Sequence, residues 1–89
     1  MIEIAFSSSF KRAFKKRISG DAERENRFWE RLESLKNNPF EPQLKTHKLS
    51  GKLKELWSFS LEYDLRVIFY FADKEKIVLV DIGTHKEVY

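Results

Sequence analysis

From Leu53 to Phe71 the apolar residues recur at every second position. Trp57, Phe59 and Leu61 alternate with Ser58 and Ser60, and Leu65, Val67, Phe69 and Phe71 resume the same parity beyond Glu62 to Asp64. A period of two puts alternate side chains on opposite faces of an extended backbone, so this stretch can bury its odd-numbered side only as strands. The polar residues near Glu62 to Asp64 supply the turn, which predicts an antiparallel hairpin with an apolar face and a face carrying Ser58, Ser60, Asp64, Arg66 and Tyr70.

Ahead of the hairpin the period changes. Phe10, Ala13, Phe14 and Ile18 fall at helical spacing, with Lys11, Arg12, Lys15 and Lys16 left on the outside. Ser7 to Ser9 offer an N-cap and Gly20 ends the helix. Asp21 can cap a second helix, where Phe28, Leu32 and Leu35 form the stripe beside Trp29, until Asn37, Asn38 and Pro39 stop it. Ile2 to Phe6 reads as a short first strand. Asp73 to Lys76 is a charged turn, and the nearly continuous apolar run Ile77 to Ile82 is expected of a central or doubly covered strand.

The element order is therefore β-α-α-β-β-β, an α+β fold in which a two-helix hairpin covers one face of a small antiparallel sheet. The other face is expected to be partly open and polar. Residues 1–89 make one domain, with 42% apolar and 15% aromatic residues available to close a small core. No apolar run approaches the roughly 20 residues needed to span a bilayer. With no cysteine, sulfur-based metal sites and disulfides are excluded and a cytoplasmic setting is expected. The net charge is only +3, but acids gather between Asp21 and Glu33, while Phe10 to Arg17 and Lys45 to Lys54 carry cations alone. Segregation of this kind can offer a positive field to a polyanion, although a basic run is equally well a solvated face.

Several reactive groups are predicted near the open face. His47 comes from the long irregular segment Pro39 to Gly51, Asp64 from the hairpin turn, Arg66 from the third strand and His85 from just past the last strand. Lys52 and Lys54 stand at the start of the second strand, and Tyr89 follows at the end of the sequence. Imidazoles that titrate near neutrality beside fixed cations suit cleavage of RNA by its own 2′-hydroxyl, which needs a base, an acid and charge for the phosphate. Taken singly, each residue has an ordinary explanation: a surface histidine, a turn aspartate, an arginine paired with Glu62. The two histidines and Asp64 lack metal-ligand spacing, and no cofactor motif is present.

The stretches "HKLSGKLKELW", "YDLRVIFYF" and "GTHKEVY" carry a resemblance to the RelE/ParE superfamily of bacterial toxins, in particular its YafQ-like branch of mRNA interferases. The resemblance covers nearly the whole chain. It implies a type II toxin-antitoxin protein that cuts mRNA on the translating ribosome, without a metal or other cofactor, leaving a 2′,3′-cyclic phosphate and a 5′-hydroxyl. The implied partners are a cognate antitoxin, bound as a hetero-oligomer, and the ribosome with its mRNA; no membrane is involved. Carried over residue by residue, His47, Asp64 and His85 match catalytic positions of the branch, Tyr89 an aromatic near the chain end, and Arg66 the arginine with which other nuclease members stabilise the phosphate. Lys52 and Lys54 resemble RNA-holding lysines, and Lys48 and Lys86 extend that set. Ser60 stands where the branch has a further histidine. The alternative within the superfamily is a ParE-like toxin that inhibits DNA gyrase by binding. Gly83 is expected to let the chain leave the last strand at an angle, so that His85 reaches the open face.

Overall fold

The computed structural model describes residues 1–49 and 55–88, apart from the side chains of His85 and Val88. Lys52, Lys54 and Tyr89 lie outside the described residues. The elements run β1 (Glu3–Phe6), α1 (Ser8–Arg17), α2 (Ala22–Asn37), a 3-10 turn (Pro42–Leu44), β2 (His47–Lys48), β3 (Trp57–Glu62), β4 (Leu65–Asp73), β5 (Lys76–Thr84) and α3 (His85–Val88).

Local chemistry explains both long helices. The Ser7 hydroxyl accepts from the Phe10 N–H at 3.0 Å, and the Asp21 carboxylate accepts from the Arg24 N–H at 3.1 Å, each satisfying a donor that the first helical turn leaves without a partner. Between them the chain reverses over Ile18 to Asp21, closed by the Asp21 N–H donating to the Ile18 carbonyl. Gly20 makes that turn with φ of +93°, a conformation in which a Cβ is strained. Among the described residues, no helix is long and apolar enough to cross a membrane.

The sheet has five strands in the order β1-β5-β4-β3-β2. Its β3-β4 and β4-β5 ladders are antiparallel as expected, an unexpected β2-β3 ladder is antiparallel too, but β1 pairs with β5 in parallel, Ile4 opposite Ile77, so the sheet is mixed. Two helices separate β1 from the hairpin strands, and a connection of that length permits a parallel return. The fifth strand, β2, is only two residues long, and it removes His47 from the loop in which the sequence pattern put it. Leu44 and Leu49, both buried, anchor the segment on either side of β2. A further hydrogen bond, from the Leu49 N–H to the Leu56 carbonyl at 2.8 Å, extends the pairing.

Helices and sheet meet through the odd-numbered side chains. Phe59, Leu61, Leu65, Val67, Phe69, Ile77 and Leu79 pack with Phe10, Ile18, Phe28, Leu32 and Leu35 in one core. Phe28 is its hub on the helical side, touching the rings of Phe10, Phe14 and Trp29 at centroid distances of 5.7, 5.2 and 4.9 Å. The opposite face is less open than expected. Leu49 and Ile68 are buried there with Leu56 and Val80 against them, and Ser58 and Ser60 are buried too. The segment that contains β2 accounts for this, because Leu49 covers ground that the alternating pattern assigned to solvent.

Replacing Phe28 with alanine removes a fully buried ring that three neighbours enclose. The Phe28→Ala protein is expected to lose about 3–5 kcal/mol of stability, read as a lower urea midpoint with unchanged slope. A loss under about 1 kcal/mol would mean that the helical pair does not depend on that cluster.

Candidate functional site

Two of the three register breaks in the described sheet organise its far face near Arg66. In β5, Ile68 faces Asp81 and Phe69 faces Leu79, so Val80 is an extra residue. A bulge of this kind reverses the parity of everything after it. Before it, Ile77 and Leu79 point to the helices; after it, Ile82 does, which turns Asp81 and Gly83 to the far face. In β3, Ser60 faces Arg66 and Glu62 faces Leu65, leaving Leu61 as the extra residue. Ser60, Arg66 and Gly83 consequently form one row across three strands.

The two elements that carry Asp64 and His85 end together. Leu65 is paired with Thr84, and paired Cα atoms of antiparallel strands lie on the order of 5 Å apart. Asp64 immediately precedes one member of that pair and His85 immediately follows the other. Asp64 is exposed in the two-residue turn with Tyr63. Arg66 lies one pair further in. It is half-buried, with Nε and Nη1 enclosed, so its charge is held on the sheet rather than waving in solvent. Gly83 opposite it presents no side chain.

Gly83 does not turn the chain, contrary to expectation: it is paired within β5, which continues through Thr84. The reversal comes at Thr84 to Glu87, a reciprocal cap that the sequence reading missed although the T-H-K-E spacing is its signature. The Thr84 N–H donates to Glu87 Oε1 at 2.8 Å, and the Glu87 N–H donates to Thr84 Oγ1 at 3.2 Å. Arg17 Nη2, from the end of α1, donates to both Glu87 oxygens at 2.9 and 3.0 Å. His85 is thus the first residue of a turn fastened at both ends.

His47 and Lys48 are exposed on the edge strand and, as successive strand residues, they diverge. His47 is opposite Ser58, in the row of Ile68 and Asp81, on the same face as Arg66. Two strand spacings and one pair of residues separate His47 from Arg66, about 12 Å between Cα atoms. Its Nδ1 lies 3.1 Å from the Lys45 carbonyl. A carbonyl can only accept, so in this contact Nδ1 is the donor. Lys48 goes to the other side, its Nζ 6.0 Å from the Trp57 ring, and is not gathered with Arg66. Lys86 is exposed on α3.

Glu62 does not pair with Arg66. Its carboxylate is held by two arginines of α2, Arg24 Nη2 at 2.6 Å and Arg27 Nη1 at 2.5 Å. Among the described residues, no set of three His, Cys, Asp or Glu side chains gathers as metal ligands. An apolar groove of about 160 Å³ lies elsewhere, between β1 and the helices, lined by Phe6, Phe10, Lys11, Phe14, Phe28 and Trp29. Lined by five aromatic rings and a single ionisable group, Lys11, that groove holds no acid-base pair.

The Thr84 N–H bond holds the Glu87 carboxyl below the usual carboxylate range; partial desolvation opposes it, and the Arg17 guanidinium reinforces it. A depressed carboxylate contributes its stabilisation above the unfolded-state pKa, about 4.3, and loses it as pH falls through the folded value. The Thr84 amide should therefore be protected from exchange at neutral pH and released by acid with a midpoint below that of an ordinary glutamate, and Glu87→Gln should abolish the transition. A midpoint at the ordinary value would show that the cap does not form.

Comparison with known proteins agrees with this architecture. The sequence profile of the family described as bacterial toxin of type II toxin-antitoxin system, YafQ, matches residues 2–89. No curated protein matches the chain. Among solved structures, a copper-bound point mutant of a toxin from Helicobacter pylori is 25% identical, with a TM-score of 0.73 and 100% of both chains covered. YafQ from E. coli strain BL21(DE3) is 20% identical, with a TM-score of 0.74 over 100% of this chain and 99% of that one. YoeB in the heterotetrameric YoeB-YefM toxin-antitoxin complex from Staphylococcus aureus is 22% identical, with a TM-score of 0.76 over 96% and 98%.

Proposed function

The chain belongs to the YafQ family of toxins of bacterial type II toxin-antitoxin systems, and on that premise we propose that it is an endoribonuclease that cuts mRNA on the ribosome with protein groups alone. The observation that carries this reading is the convergence of Asp64 and His85 beside the Leu65–Thr84 pair, with the enclosed guanidinium of Arg66 one pair away.

In the proposed reaction a base takes the 2′-proton, the 2′-oxygen attacks phosphorus, and the bond from phosphorus to the 5′-oxygen breaks. An acid protonates that departing oxygen, so the products are a 2′,3′-cyclic phosphate and a 5′-hydroxyl. His85 is assigned as the acid and His47 or Asp64 as the base. His47 is supported by its place on the same sheet face as Arg66 and Asp64 by its nearness to His85. Arg66 stabilises the charge that grows on the phosphate, as a preorganised cation in a partly enclosed site does best. Tyr89 is assigned to flank the reacting nucleotide, and Lys48, Lys52, Lys54 and Lys86 to hold the RNA backbone. Lys48 would act from the rim of β2 rather than beside Arg66.

A cognate antitoxin follows from family membership, and the Staphylococcus aureus YoeB-YefM heterotetramer supports a hetero-oligomer as its form. The working compartment is then the cytoplasm, where ribosome and antitoxin are found.

Induction in cells followed by mapping of mRNA 5′-ends tests the reading. Wild type is expected to arrest growth and produce new 5′-hydroxyl ends, whereas His85→Ala and Arg66→Ala are expected to lose cleavage by at least about 100-fold, the order found when one charge-stabilising or proton-transferring group is removed. Wild type that yields no new ends, but damages DNA and causes filamentation, would place the protein with the gyrase-binding toxins.

A further inference from the structure

The two elements that meet at the proposed site are fastened to the helical hairpin by carboxylates that take no part in the proposed chemistry. Glu62 is two residues before Asp64. Because Leu61 is the extra residue of the β3 break, Leu61 and Glu62 both serve the helical side: Leu61 fills the core, and Glu62 reaches Arg24 and Arg27 of α2. Glu87 is two residues after His85 and reaches Arg17 of α1 while closing the cap with Thr84.

The two fastenings are joined. Arg24, which holds Glu62 through Nη2, donates through Nη1 to the Arg17 main-chain carbonyl at 3.0 Å. A path of charge-assisted hydrogen bonds, joined through the covalent frame of Arg17, therefore runs from Glu62 through Arg24 and Arg17 to Glu87, whose cap holds Thr84, the residue before His85. The side chains of Glu62, Arg24 and Arg17 are 25%, 34% and 25% exposed, which restricts their geometry more than a solvated ion pair does; Glu87 is 53% exposed and is held instead by its reciprocal cap with Thr84 and the two bonds from Arg17. The rest of the site has no equivalent need. Arg66 is paired on both sides, with Ser60 and Gly83, and the sheet itself fixes its backbone, whereas Asp64 and His85 stand at chain reversals just beyond the last pair.

We propose that Glu62 and Glu87 are positioning residues, and that the Glu62–Arg24–Arg17–Glu87 path sets the separation between Asp64 and His85 on which catalysis depends. This rests on the nuclease reading. Holding two reacting groups in register is a rate effect. Displacement by about 1 Å is enough to cost about 100-fold with little change in affinity.

The experiment uses the whole toxin, released from its antitoxin, in single-turnover cleavage of mRNA on programmed ribosomes. Glu62→Gln and Glu87→Gln keep side-chain shape and lose the charge, and the Glu87→Gln amide still accepts from Thr84. Glu87→Ala loses the cap as well. His85→Ala serves as the reference for the reading itself. Each Gln variant is expected to lower the maximal rate by about 10-fold and Glu87→Ala by about 100-fold, with ribosome affinity within about twofold and melting temperature within a few degrees of wild type. If His85→Ala abolishes cleavage while all three Glu variants cut at the wild-type rate, the positioning role is overturned and the nuclease reading stands. Rates that fall only in proportion to the unfolded fraction overturn it equally. If His85→Ala itself cuts at the wild-type rate, the reading fails first.

Discussion

One extra residue in β5 governs the far side of this molecule. Without the bulge at Val80, regular alternation would carry the parity of Ile77 and Leu79 through residues 81–84; Asp81 and Gly83 would face the helices, and Ile82 would face away from them. The bulge costs the sheet one regular pair and returns a strand whose first half and last half can both bury their apolar side chains. It also decides that Gly83 lies beside Arg66 and that His85 begins its turn next to Asp64. The tight pairing of β5 with β4 on one side and β1 on the other keeps the bulge from being absorbed by slippage.

Against that frame, the helical hairpin has two functions that the sequence separates only weakly. Its apolar stripes close the core through Phe10, Ile18, Phe28, Leu32 and Leu35. Its polar side supplies Arg17, Arg24 and Arg27, which are committed to Glu87 and Glu62 rather than to solvent. A basic run read along α1 therefore divides: Lys11, Arg12, Lys15 and Lys16 are exposed, while Arg17 is a structural partner of the C-terminal turn. Short edge strands complete the design. β1 and β2 are four and two residues long and offer little unpaired backbone to a neighbouring chain.

The likeness to YafQ and YoeB structures at 20% and 22% identity concerns the fold, and the family profile over residues 2–89 concerns membership. Neither speaks to the departures within this chain. Ser60, where the branch has a histidine, is buried against the main chain, its hydroxyl donating to the Glu62 carbonyl at 3.3 Å. It adjoins Arg66 but has no acid-base capacity near neutrality, which leaves proton transfer to His47, Asp64 and His85 in the proposed reaction.

The element order, both helix caps, the odd-numbered core and the helical hairpin were legible in the amino-acid order, because each depends on side chains a few residues apart and on the two periods of the backbone. So were His47, Asp64, Arg66 and His85 as candidates, since their chemistry is intrinsic to the residue type. What the sequence could not reveal depends on partners far along the chain: the parallel return of β1, the brief pairing that makes His47 an edge-strand residue, and Leu49 covering a face that alternation alone leaves polar. The choice of Arg24 and Arg27 over Arg66 as partners of Glu62 belongs with these. A carboxylate on a strand can satisfy itself on either side of the sheet, and only the docking of α2, with the extra residue at Leu61, decided which.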